Sequence, residues 1–291
     1  MGNRWLIPTI LFLVILFLSA CSSAGSPLVL TAPAVLSVTS GAVSLSTKTP
    51  VISRPVQTAT SSPLPPPSPT PAYLVCSPLQ GVPIDQIAAA VTNPYDPPPP
   101  GSDDPHAGAD IADLIPGSQI ARPGIPVQAV LLGQVAMVQA DRFPFGNAIL
   151  IETPLEQLTQ TLLERLHLPA PLAGPAPKSA LTCPEGVLKT TWDAAHRSLY
   201  VLYAHLQELP ELKPGEKVTC GEVIGKVGKS GNALNPHLHL EIRVGPAGAS
   251  FSSIAHYDNR ATVEEMAGYC AWSVSGLFQV IDPLTLLGAR K

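Results

Sequence analysis

The sequence predicts a mainly β fold, a twisted antiparallel sheet that forms a sandwich-like groove and carries a short helical insertion. Short apolar runs rich in Val, Ile and Leu alternate with Gly and Pro in the second half of the chain. Such runs favour strands joined by turns. We expect strands at residues 127–130, 133–138, 148–151, 198–203, 217–219, 223–227 and 237–244.

Two stretches depart from this pattern. Residues 155–168 carry leucines at positions 155, 158, 162, 163 and 166, a helical spacing, and residues 262–269 predict a second short helix. We therefore expect a domain of residues 74–291 with insertions near 154–197 and 247–279. The first insertion precedes the strand at 198–203, so we expect it to wall or cover the groove.

The N-terminus carries a targeting signal. A short positive region is followed by an apolar run at residues 5–20, which is short for a membrane span of roughly 20 residues. The run ends in Leu18-Ser19-Ala20-Cys21, which resembles the lipobox of bacterial lipoproteins. That resemblance implies a signal peptide at 1–20, acylation of Cys21, and a protein held outside the cytoplasm on a bacterial membrane. The alternatives are a plain signal peptide, or a membrane anchor with a chance cysteine.

Residues 21–73 are dominated by Ser, Thr, Pro, Ala and Val and have almost no charge. Such a segment buries too little apolar surface to offset its ordering entropy, so it predicts an extended tether. The net charge of −4 and pI near 5.9 show no basic surface, which argues against nucleic acid as a partner.

Four cysteines remain once Cys21 is set aside: Cys76, Cys183, Cys220 and Cys270. An even number in an oxidising compartment predicts two disulfides, and the sequence leaves all three pairings open. A zinc–thiolate site is disfavoured, because no two of these cysteines lie two to four residues apart.

Three short segments hold five residues with metal and proton chemistry. They are His106 and Asp110 in an H-x-G-x-D, His205 after Tyr203-Ala204, and His237 and His239 in an H-x-H. Residues two apart on a strand share a face, so the H-x-H pair faces one pocket. A straight strand would separate the first pair by roughly 13 Å, too far to share one ion. That segment must therefore bend, and Gly108 is best able to allow it.

Two histidines and an aspartate form a three-ligand zinc set that leaves a fourth position for water. The chain lacks the H-E-x-x-H motif, so the glutamate base of that protease class is missing. His205 and His237 are then the candidates for base and oxyanion-stabilising roles.

These segments resemble the lysostaphin/LytM-type zinc endopeptidases, whose pattern is H-x-x-x-D, then Y-x-H-L, then H-x-H. The similarity extends over about residues 98–153, 198–246 and 280–287, including Ser230-Gly231-Asn232 and the closing Asp282-Pro283-Leu284. The resemblance implies a fold of the duplicated hybrid motif type. It also implies one Zn²⁺ held by His106, Asp110 and His239, with His205 and His237 catalytic.

The resemblance further implies hydrolysis of stem peptides or cross-links in peptidoglycan. Glu241 lies on the strand face of His239 and is expected to orient that ligand, unless it is an ordinary paired glutamate. One alternative function is a silent wall-binding lipoprotein that activates another hydrolase, and a more distant one is a peptidase of secreted proteins. The bond cut and the oligomeric state stay open.

Overall fold

The structure, a computed structural model, describes residues 74–116, 118, 120–173, 176–185 and 192–288. The predicted signal peptide at 1–20, the acylated Cys21 and the tether at 21–73 lie outside the described residues. Within the described part, no helix is both long and apolar enough to cross a membrane.

The described residues form one large antiparallel sheet and a two-stranded one, which confirms the predicted mainly β fold. The large sheet has the order β1-β2-β9-β6-β5-β4-β7, with β10 also paired to β9, and β3 pairs with β8. The strands are β1 Val91–Asn93, β2 Gly108–Ile111, β3 Pro126–Gln128, β4 Gly133–Arg142, β5 Gly146–Pro154, β6 Asp193–Leu206, β7 Lys217–Val218, β8 Val223–Lys226, β9 Leu238–Ala247 and β10 Gln279–Ile281.

The predicted helix at residues 155–168 is wrong as a single element. The chain forms a 3₁₀ turn at Leu155–Gln157 and then α1 at Gln160–Leu166, because Leu158 and Thr159 have extended backbone between them. The side chain of Thr159 accepts a hydrogen bond from the Leu162 amide at 3.3 Å and so begins the helix. Two short elements therefore produced the continuous leucine spacing.

The second predicted helix is longer than expected. It forms α2, Val263–Ser273, where 262–269 was predicted. Thr262 and Glu265 form a capping box at its start. A short α3, Pro283–Leu287, closes the described chain, and a 3₁₀ helix at Ile84–Ala90 was not predicted.

Both faces of the central strands of the large sheet are buried, and successive residues of β6 alternate between two cores. On β6, Leu199, Val201 and Tyr203 face a core that includes α1, α3, β3 and β8. The intervening residues Tyr200, Leu202 and Ala204 face an aromatic core made with α2 and its flanks. The second insertion, near 247–279, therefore covers the face opposite to α1.

Two disulfides are present, as the sequence predicted, and the structure resolves their pairing. Cys76 pairs with Cys220, and Cys183 pairs with Cys270. Cys183 lies in the first insertion and Cys270 on α2, so the second bridge joins the two insertions covalently.

Candidate metal centre

Sheet register brings the predicted site residues to one end of three adjacent strands. β9 lies between β2 and β6, so that His239 is opposite both Asp110 and Ala204. His205 follows Ala204 directly, and His237 comes just before the start of β9, in a bridge with Gly228. The segments are distant in sequence, and strand pairing alone makes them neighbours.

His106, Asp110 and His239 point three ligand atoms at a common centre. The Oδ1 atom of Asp110 lies 3.2 Å from His106 Nε2 and 3.0 Å from His239 Nδ1. The two nitrogens are 3.2 Å apart. A tetrahedral zinc ion with bonds of about 2.0–2.1 Å separates its ligands by about 3.3 Å. The three side chains therefore fit a zinc ion and leave one side of the site open.

The segment from His106 to Asp110 does not run as a straight strand. His106 lies before β2 in a bridge with Asp96, and the strand begins only at Gly108. Gly108 does not have a positive φ, so the left-handed conformation is not the reason for a glycine here. Its missing side chain serves close approach instead, because a Cβ there would lie 2.6 Å from the Leu240 carbonyl oxygen and 2.8 Å from His239 Cε1.

His106 and His239 each have a hydrogen-bond partner outside the triangle for the other ring nitrogen. His106 Nδ1–H donates to the Pro94 carbonyl at 2.9 Å, and His239 Nε2–H donates to Glu241 Oε2 at 3.2 Å. A histidine that donates from one nitrogen presents a lone pair on the other. These partners therefore orient both rings so that the inward nitrogens can bind a cation.

His205 and His237 stand beside the triangle with their ring centroids 4.7 Å apart. Both donate from Nδ1 at 2.8 Å, His205 to the Ser230 carbonyl and His237 to the Asn235 carbonyl. His237 Nε2 lies 3.5 Å from Asp110 Oδ1. His205 has φ of +60°, a conformation uncommon outside glycine and concentrated at functional sites.

The electrostatics of the centre favour a cation at the triangle. Burial alone would raise the pKa of Asp110, but the adjacent rings of His106 and His239 hold this pKa well below its usual range. Burial opposes a charge on His239, yet the carboxylates of Asp110 and Glu241 raise its pKa to about 9. Burial, reinforced by His239 and His237, lowers the pKa of His205 to about 3.

Sequence reasoning missed Arg243. Its Nε donates to Glu241 Oε1 at 2.5 Å, and its Nη1 donates to the carbonyls of Ser273 and Phe278 at 3.3 and 3.0 Å. Burial would raise the pKa of Glu241, but Arg243 and His239 lower it to about 2. A signal was present in the sequence, because Glu241 and Arg243 follow His239 at the period of two that places them on one strand face.

A groove of about 860 Å³ contains the centre. The second insertion contributes Tyr257, Tyr269 and Ser273 to its lining. None of the described residues of the first insertion lines the groove, so this part of the chain gives no support to the expectation that the insertion walls or covers it. It packs behind the rim instead, where the amide of Ala180 donates to the Gly101 carbonyl at 2.8 Å.

Residues 186–251 match the sequence model of Peptidase family M23. The matched segment contains His205, His237 and His239, and it excludes His106 and Asp110.

Among solved structures, the catalytic domain of the antimicrobial peptidase lysostaphin from Staphylococcus simulans is similar at 18% identity. That similarity covers 70% of this chain and 98% of the lysostaphin domain, with a TM-score of 0.35. The catalytic domain of the prophage-encoded M23 protein EnpA from Enterococcus faecalis is also similar, at 22% identity. The similarity to EnpA covers 55% of this chain and 85% of the EnpA domain, with a TM-score of 0.32.

Proposed function

We propose that this chain is a zinc-dependent endopeptidase that hydrolyses a peptide bond in the stem peptides or cross-links of bacterial peptidoglycan. The observation that carries the proposal is the triangle of His106, Asp110 and His239, with sides of 3.0–3.2 Å, beside two further histidines. The match of residues 186–251 to Peptidase family M23 supports the reaction class.

His106, Asp110 and His239 would hold the ion. Zinc, when bound, lowers the pKa of water to about 7 and polarises a substrate carbonyl. Pro94 and Glu241 keep the two histidine rings in the tautomer that binding requires, through the hydrogen bonds from His106 Nδ1 and His239 Nε2.

His205 and His237 would handle the proton and the developing negative charge. His205 donates Nδ1–H to the Ser230 carbonyl, so its Nε2 carries a lone pair that can accept a proton from the attacking water. His237 keeps Nδ1–H on the Asn235 carbonyl, and in its protonated form Nε2–H would donate to the oxyanion of the tetrahedral intermediate. Both side chains line the groove, where a substrate peptide would lie.

Cell-envelope location is part of the proposal. The Leu18-Ser19-Ala20-Cys21 sequence and the uncharged Pro- and Ser-rich segment after it support a lipid anchor on Cys21 with a tether that reaches the wall. Fatty-acid labelling that is lost with Cys21→Ser, together with release from the membrane fraction, is the expected result. Labelling that persists in Cys21→Ser contradicts the anchor.

The experiment for the activity uses the zinc-loaded full chain in detergent with purified peptidoglycan, with and without chelator. Mass spectrometry of the released fragments should show new peptide amino termini that vanish with chelator. They should also vanish in His237→Ala, which leaves the three ligands in place. If the peptidoglycan stays intact but the protein co-sediments with it, the result supports the silent wall-binding lipoprotein instead. Cleavage confined to an unfolded protein substrate supports a peptidase of secreted proteins.

A further inference from the structure

We propose, on the premise of the zinc centre proposed above, that the second insertion is a structural part of the metal site. In this proposal Arg243 is the positioning residue that connects α2 to the ligand His239. The insertion then determines metal affinity in addition to lining the groove.

The connection runs through three buried side chains in one line along β9. His239 Nε2 contacts Glu241, and Glu241 accepts from Arg243. The three residues are 7, 2 and 3% exposed. Buried charges are costly unless their hydrogen-bonding groups are satisfied. Here one guanidinium satisfies the carboxylate, and the carboxylate fixes the tautomer of the ligand.

The far side of Arg243 is held by the second insertion. Its Nη1 donates to the carbonyls of Ser273, the last residue of α2, and Phe278. The guanidinium also lies over the Trp272 ring at 5.1 Å from the centroid. The last carbonyls of a helix lack partners within the helix and carry partial negative charge. Arg243 therefore completes the C-terminus of α2 while it orients Glu241.

The Cys183–Cys270 disulfide fixes that same helical turn. Cys270 lies one turn before Ser273, and its carbonyl accepts from the amides of Val274 and Ser275. The bridge therefore restrains the carbonyl that holds Arg243. We infer that losing the bridge weakens zinc binding, although neither sulfur atom lies in the site.

The test measures the zinc dissociation constant of the full chain by competition with a chromogenic chelator. Arg243→Lys keeps the charge, but a single ammonium nitrogen cannot span the carboxylate on one side and the two carbonyls on the other as the planar guanidinium does, so we expect binding about 10- to 100-fold weaker. The visible spectrum of the cobalt-substituted protein should change with it, because the spectrum reports ligand geometry. Arg165→Lys is the matched control, since Arg165 donates to the Leu286 carbonyl of α3 at 2.7 Å, on the face of the sheet opposite to α2.

The disulfide provides the second arm. Cys183→Ser with Cys270→Ser should weaken zinc binding. Adding Arg243→Lys should give a variant that binds zinc no more weakly than Arg243→Lys alone, because both changes act through one contact. Cys76→Ser with Cys220→Ser removes the other bridge and should leave zinc affinity unchanged.

Unchanged zinc affinity in a folded Arg243→Lys overturns the proposal. Losses that add in the combined variant, or equal losses in the two control variants, overturn it as well. If Arg243→Lys does not fold, the two disulfide variants decide, and equal affinities in both contradict the coupling. Cleavage is not the readout, so a wild-type chain that binds zinc but leaves the wall intact contradicts the proposed function alone.

Discussion

At the scale of single residues, hydrogen bonds to partners outside the centre decide which nitrogen each histidine presents. His106, His205 and His237 each donate from Nδ1 to a main-chain carbonyl. His239 is reversed, because Glu241 takes its Nε2 and Nδ1 faces Asp110. Identical side chains therefore acquire different orientations from their partners.

The five residues of the centre should separate into two classes when replaced. His106→Ala, Asp110→Ala and His239→Ala each remove a proposed ligand, so bound zinc and activity should both be lost. His205→Ala and His237→Ala should keep one zinc per chain and lose about 10²- to 10⁴-fold in turnover. Metal analysis of the dialysed protein and peptidoglycan cleavage are the two measurements. His196→Ala, at an exposed residue paired with Asp193, is the control; zinc lost from His205→Ala would contradict the division.

Motif spacing predicted the five polar residues, and the structure brings them together. The groups that orient three of the histidine rings could not be predicted. Pro94, Ser230 and Asn235 accept hydrogen bonds through main-chain carbonyls, which leave no signal in the side-chain sequence. Arg243 differs, since its position two residues after Glu241 was visible in the sequence.

At the scale of elements, the pairing of β2 with β9 sets the distance between Asp110 and His239. Gly108 is opposite Glu241 in that pairing, and a side chain there would press on the ring of His239. The glycine is therefore part of the geometry of the site as well as of the strand.

Gly108→Ala should weaken zinc binding and lower stability. The new Cβ would lie 2.6 Å from the Leu240 carbonyl oxygen, a main-chain atom that cannot move aside as a flexible side chain can. Zinc competition and thermal unfolding measure the two effects. Gly225→Ala on β8 is the control, because its Cβ would meet only the Leu206 side chain, at 3.1 Å. Equal zinc affinity in the two variants would contradict a steric role for Gly108.

The capping box of α2 offers a second test at this scale. Thr262→Ala removes the side chain that accepts from the Glu265 amide at 3.2 Å, and we expect the free energy of unfolding to fall by about 1 kcal/mol. Chemical denaturation at neutral pH measures it. Glu264→Gln, an exposed neighbour outside the box, should change stability by less than about 0.5 kcal/mol. A larger effect in Glu264→Gln than in Thr262→Ala would contradict the capping role.

Short apolar runs bounded by Gly and Pro predicted the long strands, as at β4, β5 and β9, because most residues of these strands are buried. Among the short strands, β3 and β7 were predicted, but β1, β2 and β10 were not. The three strands that were missed have three or four residues each, too few to establish a period. The prediction of a single helix at 155–168 was wrong because leucine spacing does not reveal the extended backbone at Leu158 and Thr159.

At the scale of the whole described domain, two disulfides connect segments that are remote in sequence. Cys76 and Cys220 are separated by 144 residues, and Cys183 and Cys270 by 87. The count of cysteines predicted two bridges, but pairing depends on which loops the fold brings together. The sequence therefore could not choose among the three pairings.

The two bridges should differ in what they support. Replacing Cys76 and Cys220 by Ser should lower the free energy of unfolding by about 2–5 kcal/mol and leave the cleavage rate of the folded protein unchanged. Denaturant unfolding and peptidoglycan cleavage measure the two quantities. A cleavage rate that falls as far as in the Cys183 and Cys270 variant would show that both bridges act on the site through stability alone.

Titration of the metal-free chain with zinc tests the zinc-dependent endopeptidase most directly. New peptide termini released from peptidoglycan should rise with added zinc and reach a plateau at one equivalent per chain. His237→Ala should bind the same equivalent and release almost none. Cleavage by the metal-free chain, or a zinc-saturated folded chain that leaves peptidoglycan intact, would contradict the proposed function.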